Sequence, residues 1–185
     1  RELFSDSHYF DYLKFNASLN PAEEQYFHCE IRNIGAVAIF AVEKSLIHFI
    51  NSVYRNITCK LIHQSCALIE GIVKNQDLRP YRQMYVYLDR IHMHISVLEE
   101  KELVYYNQFY IRNFSDYVKY IMLAARTFDF DVQRNPILIW GYHNQDSRPL
   151  NELNKYLGDI RFGHGPSFLK MGFEFDEIPE HHYLD

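Results

Sequence analysis

The stretch "LDRIHMHISVLEE", residues 88–100, carries two histidines two positions apart among apolar and acidic side chains. Apolar residues in and around it recur at intervals of three and four, which is the spacing of one face of an α-helix. We therefore predict a helix over residues 81–103. Its inward face consists of Met84, Leu88, Ile91, Ile95 and Leu98.

This helix would separate the two histidines. His92 and His94 lie about 200° apart around a helix axis, so they cannot hold one metal ion together. His92 falls beside the apolar face, whereas His94 points away from it near Arg90. An HxH pair shares a face only on a strand, so we predict no metal site and instead a polar ligand pocket beside the core. The pocket candidates are Tyr85, Asp89, His92, Glu99 and Phe109.

Helical patterns extend through most of the chain. Asn20 and Pro21 are typical of a helix start, since Asn caps helices and Pro fits the first turn. The stretch "IGAVAIFAVEKSLIHFI", residues 34–50, is apolar on nearly all sides, as expected of a buried central helix. Because it contains Glu43 and Lys44, we do not expect it to span a membrane.

The predicted fold class is all-α. We expect a single-domain bundle of five to seven helices over residues 1–157 and an irregular C-terminal tail over 158–185, which is rich in Gly and Pro. Helices are predicted at 6–15, 20–54, 58–74, 81–103, 116–127 and 148–157, with an extended stretch at 135–142 and a short strand at 172–178. The second of these helices either runs unbroken to Tyr54 or breaks near Gly35.

Composition narrows the range of functions. The 185 residues include 15 Tyr and 14 Phe against one Trp, and aromatic side chains suit cores, pocket walls and interfaces alike. A net charge of −5 does not favour binding to duplex nucleic acid, which needs a basic face. We expect a helical binding domain for a protein partner or a small aromatic or apolar ligand, able to form a homo-oligomer. Whether it is an enzyme stays open.

The cysteines bear on the compartment. Cys29, Cys59 and Cys66 form no CxxC pair, and three cysteines cannot make a closed disulfide framework. A reducing compartment is therefore expected, and we place the protein inside the cell, in the cytoplasm. The sequence begins at Arg1 without Met, which leaves open whether the chain is a fragment.

Three short segments resemble the haem-dependent tryptophan 2,3-dioxygenase superfamily, which is all-α. They are "YFDYLKFNASL" at 9–19, "HCE" at 28–30 and "SVLEEKELVYYNQF" at 96–109. Tyr110 stands where that family has an arginine that binds the substrate carboxylate, which puts that contact in doubt. The glycine-rich loop of the family is not recognisable in this chain.

The resemblance implies a haem-dependent aromatic oxygenase. His28 and Tyr106 would then act in the oxygen chemistry, and Phe109 would line the substrate pocket with Tyr106. The haem ligand would be His143 or His164, so haem is the one cofactor that the sequence suggests.

A second resemblance concerns HEPN domains, helical bundles that are often RNases or toxin components. The segment "AIFAVEKSLIHFINSVY", residues 38–54, resembles one of their early helices. It implies a HEPN-like domain of RNase or toxin–antitoxin type. The Arg-x4–6-His motif of that family is absent, since seven residues separate Arg55 from His63 and eight separate Arg134 from His143. Catalysis is therefore in doubt even if the fold matches.

Overall fold

A computed structural model describes residues 5, 8–75, 82–100, 102–141 and 148–165, with the single positions 172, 173, 177, 178 and 182. The expected all-α bundle is wrong, because the chain is mixed α/β with strands in two sheets. It forms two compact units, residues 1–70 (unit 1) and 71–185 (unit 2). The expected strand at 172–178 lies largely outside the described residues.

Unit 1 is built around a β-hairpin. A short 3₁₀ turn and Gly35, whose φ of +63° suits a residue without Cβ, join two antiparallel strands. The unit comprises α1 (Tyr9–Leu13), β1 (Glu24–Ile31), β2 (Ala36–Glu43) and α2 (Lys44–Val53), and α3 (Gln64–Asn75) crosses into unit 2.

The single helix predicted over 20–54 is therefore wrong. The stretch that was expected to be one buried helix is strand β2 followed by helix α2. β1 alternates between its two faces: Cys29 and Ile31 are buried, whereas Glu30 between them is exposed. That period of two is the pattern of a strand.

A disulfide joins Cys29 on β1 to Cys66 on α3. Both cysteines are buried, and Cys59 has a free thiol. The bond ties the hairpin to the helix that leads out of unit 1.

Unit 2 contains a five-stranded sheet with helices between its later strands. The spatial order of the strands is β5-β4-β3-β6-β7, with β3, β4 and β5 antiparallel in sequence and β6 and β7 parallel to β3. The elements are β3 (Gln83–Leu88), β4 (His92–Glu99), β5 (Glu102–Tyr110), α4 (Phe114–Thr127), β6 (Ile137–Gly141), α5 (Arg148–Leu153) and β7 (Ile160–Phe162).

The helix predicted over 81–103 is wrong, and this error changed the fold class. Both faces of β3 and β4 are covered, and β3 is apolar without interruption over 84–88, so the two strands together contain apolar residues at helical spacing. Ile91, placed in the core of the predicted helix, is in the turn between the strands and is half exposed.

One face of the five-stranded sheet carries the main hydrophobic core. Met93, Ile95 and Val97 of β4 are fully buried there, together with Ile137 and Ile139 of β6. Buried residues of α4 and α5 belong to the same cluster, namely Ile121, Ala124, Ala125, Leu150 and Leu153.

Several local predictions agree with the structure. The helix predicted over 116–127 is present as α4, and its N-cap Asn113 forms a capping box with Asp116. The extended stretch predicted at 135–142 contains β6. No described helix has both the length and the apolar character needed to cross a membrane.

Candidate functional site

The five pocket candidates do not converge on one point. Tyr85 is buried on β3, where its hydroxyl donates to Oε1 of Gln83 at 2.6 Å. Phe109 lies on the opposite, core-forming face of the sheet, with its ring 4.2 Å from that of Tyr120. Glu99 ends β4 and pairs with Arg82 at 3.1 Å. It lies about 23 Å from His92 at the other end of that strand.

His92 and His94 share one face of β4, contrary to the helical interpretation. His94 is only 2% exposed, and its Nδ1 lies 2.8 Å from the hydroxyl of Tyr106. His92 is half-buried at the start of the strand, with its ring 5.8 Å from that of Tyr110. The side chain expected at the surface is therefore the buried one.

The expected haem oxygenase and HEPN-like domain are both contradicted, because each is a helical fold and this chain has a sheet core. His28 is in unit 1, where it bonds the hydroxyl of Tyr9. Tyr106 is in unit 2. His164 is exposed, and its carbonyl accepts from the indole of Trp140; His143 lies outside the described residues. Among the described residues, no three His, Cys, Asp or Glu cluster as a metal site.

The edge of unit 2 at which its parallel strands end is the expected position of a ligand site. Ligands of open α/β sheets bind beyond the carboxyl ends of such strands. The turn after β3 satisfies its own amides: Asp89 N–H donates to the carbonyl of His92 at 2.9 Å, and Arg90 N–H donates to the Asp89 carboxylate at 2.6 Å. A phosphate cradle needs such amides free, and these two are already bonded.

The end of β6 closes the same edge. Gly141 has a φ of +107°, and a Cβ there would lie 2.0 Å from the carbonyl oxygen of Leu88 at the end of β3. The two backbones therefore touch where a crevice between the strands would begin. This edge offers no built anion site in the described residues.

Unit 1, in contrast, has an open groove of about 520 Å³. We call it the unit 1 groove. It lies between strand β1, helix α2 and the segment that follows α2. The described residues that line it are Gln25, Phe27, His28, Ile47, Ile50, Asn51, Thr58, Cys59, Lys60 and Leu61.

The groove has a mixed lining, in which half of the ten described residues are apolar and half are polar or charged. Ile47 and Ile50 of α2 face Phe27 of β1 across it, and Lys60 is the one formally charged side chain among the described lining residues. Cys59 adds a free, partly accessible thiol. Such a lining suits the apolar side chains of a partner rather than a highly charged ligand.

The helix beside the groove is not buried anywhere along its length. None of the ten residues of α2 is buried, although its large apolar residues follow helical spacing along one side. Six large apolar side chains of α2 and of residues 54–62 are 49% to 64% exposed. We call this set the apolar stripe. It consists of Leu46, Phe49, Val53, Tyr54, Ile57 and Ile62.

The start of α3 lies just beyond the groove segment. Nδ1 of His63 accepts from the backbone amide of Ser65 at 3.2 Å, and the Ser65 hydroxyl lies 2.7 Å from the same nitrogen. Burial lowers the pKa of His63, so the imidazole is neutral at neutral pH and keeps this acceptor. His63 thereby caps the first turn of α3.

Most of the chain matches a known protein family. Residues 1–160 match one family over most of the chain, and its description is "Protein of unknown function (DUF3822)". The chain belongs to the DUF3822 family. No protein of curated function matches this DUF3822 chain.

A crystal structure from Bacteroides thetaiotaomicron, described as a protein with actin-like ATPase fold and unknown function, is similar to the DUF3822 chain. The TM-score is 0.75 at 22% identity, over 88% of this chain and 62% of that one. At this identity the likeness shows the fold alone. The DUF3822 chain thus spans less than two thirds of the length of its structural relative.

Sequence patterns did not indicate the unit 1 groove, because its lining residues are spread over the sequence, and Gln25 and Leu61 are 36 positions apart. One signal was available. Within residues 44–54, the members of the apolar stripe lie on one side of the helix, and Lys44, Ser45 and His48 lie on the other. Separating this helix from β2 before it would have exposed that pattern.

Proposed function

We propose that this chain is a polypeptide-binding module that works through the unit 1 groove and the apolar stripe beside it. The observation that carries the proposal is helix α2, which presents an ordered apolar side and buries no residue. A helix of ten residues is marginal in water without tertiary packing. Its apolar side therefore indicates a surface that is covered when the protein is at work.

The size of the surface favours a polypeptide over a small ligand. Half of a large apolar side chain exposes about 80–100 Å², so the six residues of the stripe expose roughly 500–600 Å². That is close to the ~800 Å² that each partner contributes to a standard protein interface. A small ligand in the groove would leave most of the stripe in water, because drug-sized ligands are enclosed by their pockets.

Nucleotide hydrolysis is the alternative that the fold of the relative suggests. The turn at Asp89 and Arg90 argues against it, because its two backbone amides are already bonded within the turn and are not available to a phosphate oxygen. Gly141 holds the neighbouring strand end against Leu88. We therefore propose binding without ATP hydrolysis at this edge.

The free thiol of Cys59 lines the groove and reports on its occupancy. The experiment compares the rate at which N-ethylmaleimide modifies Cys59 in the protein purified from its source and in the isolated 185-residue chain, with Cys59 quantified by peptide mass spectrometry. We expect at least tenfold slower modification in the protein from its source. Equal rates would show an empty groove and overturn the proposal.

A further inference from the structure

We infer that the occupant of the unit 1 groove is further polypeptide of the same protein, which adds at least one strand to the sheet of unit 1. This inference rests on the proposed function and names its partner. Three observations on the described residues of unit 1 support it: a hairpin that pairs with no further described strand, an extended segment that no described strand pairs with, and the apolar stripe.

The hairpin is the first observation. In the described residues, β1 pairs with β2 and with no other strand, and the same holds for β2. A two-stranded hairpin is marginal in water, and its outer edges leave backbone N–H and C=O groups open to pairing. Unit 2, by comparison, has a five-stranded sheet with a buried core.

The second observation is the segment after α2. Residues 59–63 alternate between partly buried and exposed positions, with Cys59, Leu61 and His63 inward and Lys60 and Ile62 outward. A period of two is the signature of a strand with one covered face. These residues nevertheless belong to no strand, and Cys59, Lys60 and Leu61 form a wall of the groove. The segment has the pattern of a strand, and no described strand pairs with it.

The third observation is the apolar stripe, which lies on α2, the helix that forms one wall of the groove, and on the residues that follow it. A second copy packed through α2 could cover the stripe by two-fold symmetry. It would leave the hairpin edges and residues 59–63 unpaired. A strand-bearing segment that enters the groove covers the stripe and pairs backbone edges at the same time, so it accounts for all three observations.

The structural relative contains polypeptide beyond the part that matches this chain. The match takes in 88% of this chain but only 62% of that one, so 38% of the relative (100% minus 62%) has no counterpart here. An additional segment of that kind, with apolar side chains alternating along a strand, has the chemistry that the groove and stripe require.

Hydrogen–deuterium exchange and intact mass test the inference together. The protein purified from its source is compared with the isolated 185-residue chain. We expect a denatured mass above 22.2 kDa and at least tenfold slower amide exchange in β1 or β2 and in residues 59–63. Exchange in β3 and β4 of unit 2 is the internal control and should not change.

The outcomes separate the inference from the proposed function. A denatured mass of 22.2 kDa, or a longer chain without slower exchange in unit 1, overturns the inference. If Cys59 is still protected in that case, the groove binds another protein and the proposed function stands. If Cys59 is not protected, both fail.

Discussion

Replacing His94 by alanine is the sharpest test of the sheet in unit 2. The imidazole is 2% exposed, contacts the rings of Tyr87 and Tyr106 and bonds the Tyr106 hydroxyl at 2.8 Å. Removing a buried side chain of this size costs about 2 kcal/mol in packing and cavity terms. Loss of the hydrogen bond adds about 1 kcal/mol. We expect the free energy of unfolding to fall by about 3 kcal/mol.

Urea unfolding followed by Trp140 fluorescence measures this change. Trp140 is the single tryptophan of the chain, is buried on β6 and stacks on Tyr85, so its signal reports unit 2. With a slope of about 2 kcal/mol per molar urea, His94→Ala should lower the midpoint by about 1.5 M.

His92→Ala is the matched control. His92 is half-buried at the start of β4, so its loss should cost less than about 1 kcal/mol. Equal losses in the two variants, or a larger loss for His92, would refute the placement of both histidines on this strand.

Three further predictions concern backbone strain, pH and nucleotide. Gly141→Ala should lower the free energy of unfolding by about 3 kcal/mol, because Gly141 has a positive φ and contacts the backbone of Leu88. Gly35→Ala, which has open space around it, should cost about 1 kcal/mol. Thermal melts compare the two variants, and equal costs would contradict this prediction. Because burial lowers the pKa of His63 below its unfolded value, the stability of unit 1 should be complete above about pH 6.5 and fall as the pH drops below it. Urea midpoints at pH 7.5 and pH 5 should show the fall in the wild type and a smaller one in His63→Gln, and equal falls would remove His63 as the cause. Calorimetric titration with Mg-ATP should give no saturable heat; saturable binding that Arg90→Ala abolishes would contradict our account of the turn.

Part of the fold could be predicted from the sequence. The helix at 116–127 and the extended stretch at 135–142 carry local signals, such as the caps near Asn113 and the short apolar run of β6. Local signals were misleading at β3, where burial of both sheet faces makes residues 84–88 apolar without interruption. Within β4, Met93, Ile95 and Val97 alternate with His92, His94 and Ser96, and that period of two should have outweighed the helical spacing.

The candidate site was harder to predict than the fold. The unit 1 groove depends on how α2 and residues 58–61 pack against the β1–β2 hairpin, and contacts between segments distant in sequence leave no local mark in it. The apolar stretch at 34–50 was interpreted as one buried helix because it was not divided at Glu43, where β2 ends and α2 begins. Once it is divided, the exposed side of α2 follows from helical spacing alone.

The central claim is that the apolar stripe and the unit 1 groove are covered by polypeptide in the working protein. The most direct test is the rate of Cys59 modification in the Phe49→Asp variant purified from its source. Phe49 is 64% exposed, so the change should leave folding intact, and Leu123→Asp, at a 53% exposed position on α4, is the matched control. We predict that Phe49→Asp speeds the modification of Cys59 at least tenfold over wild type and that Leu123→Asp does not change it. Equal rates in the wild type and both variants would contradict the claim.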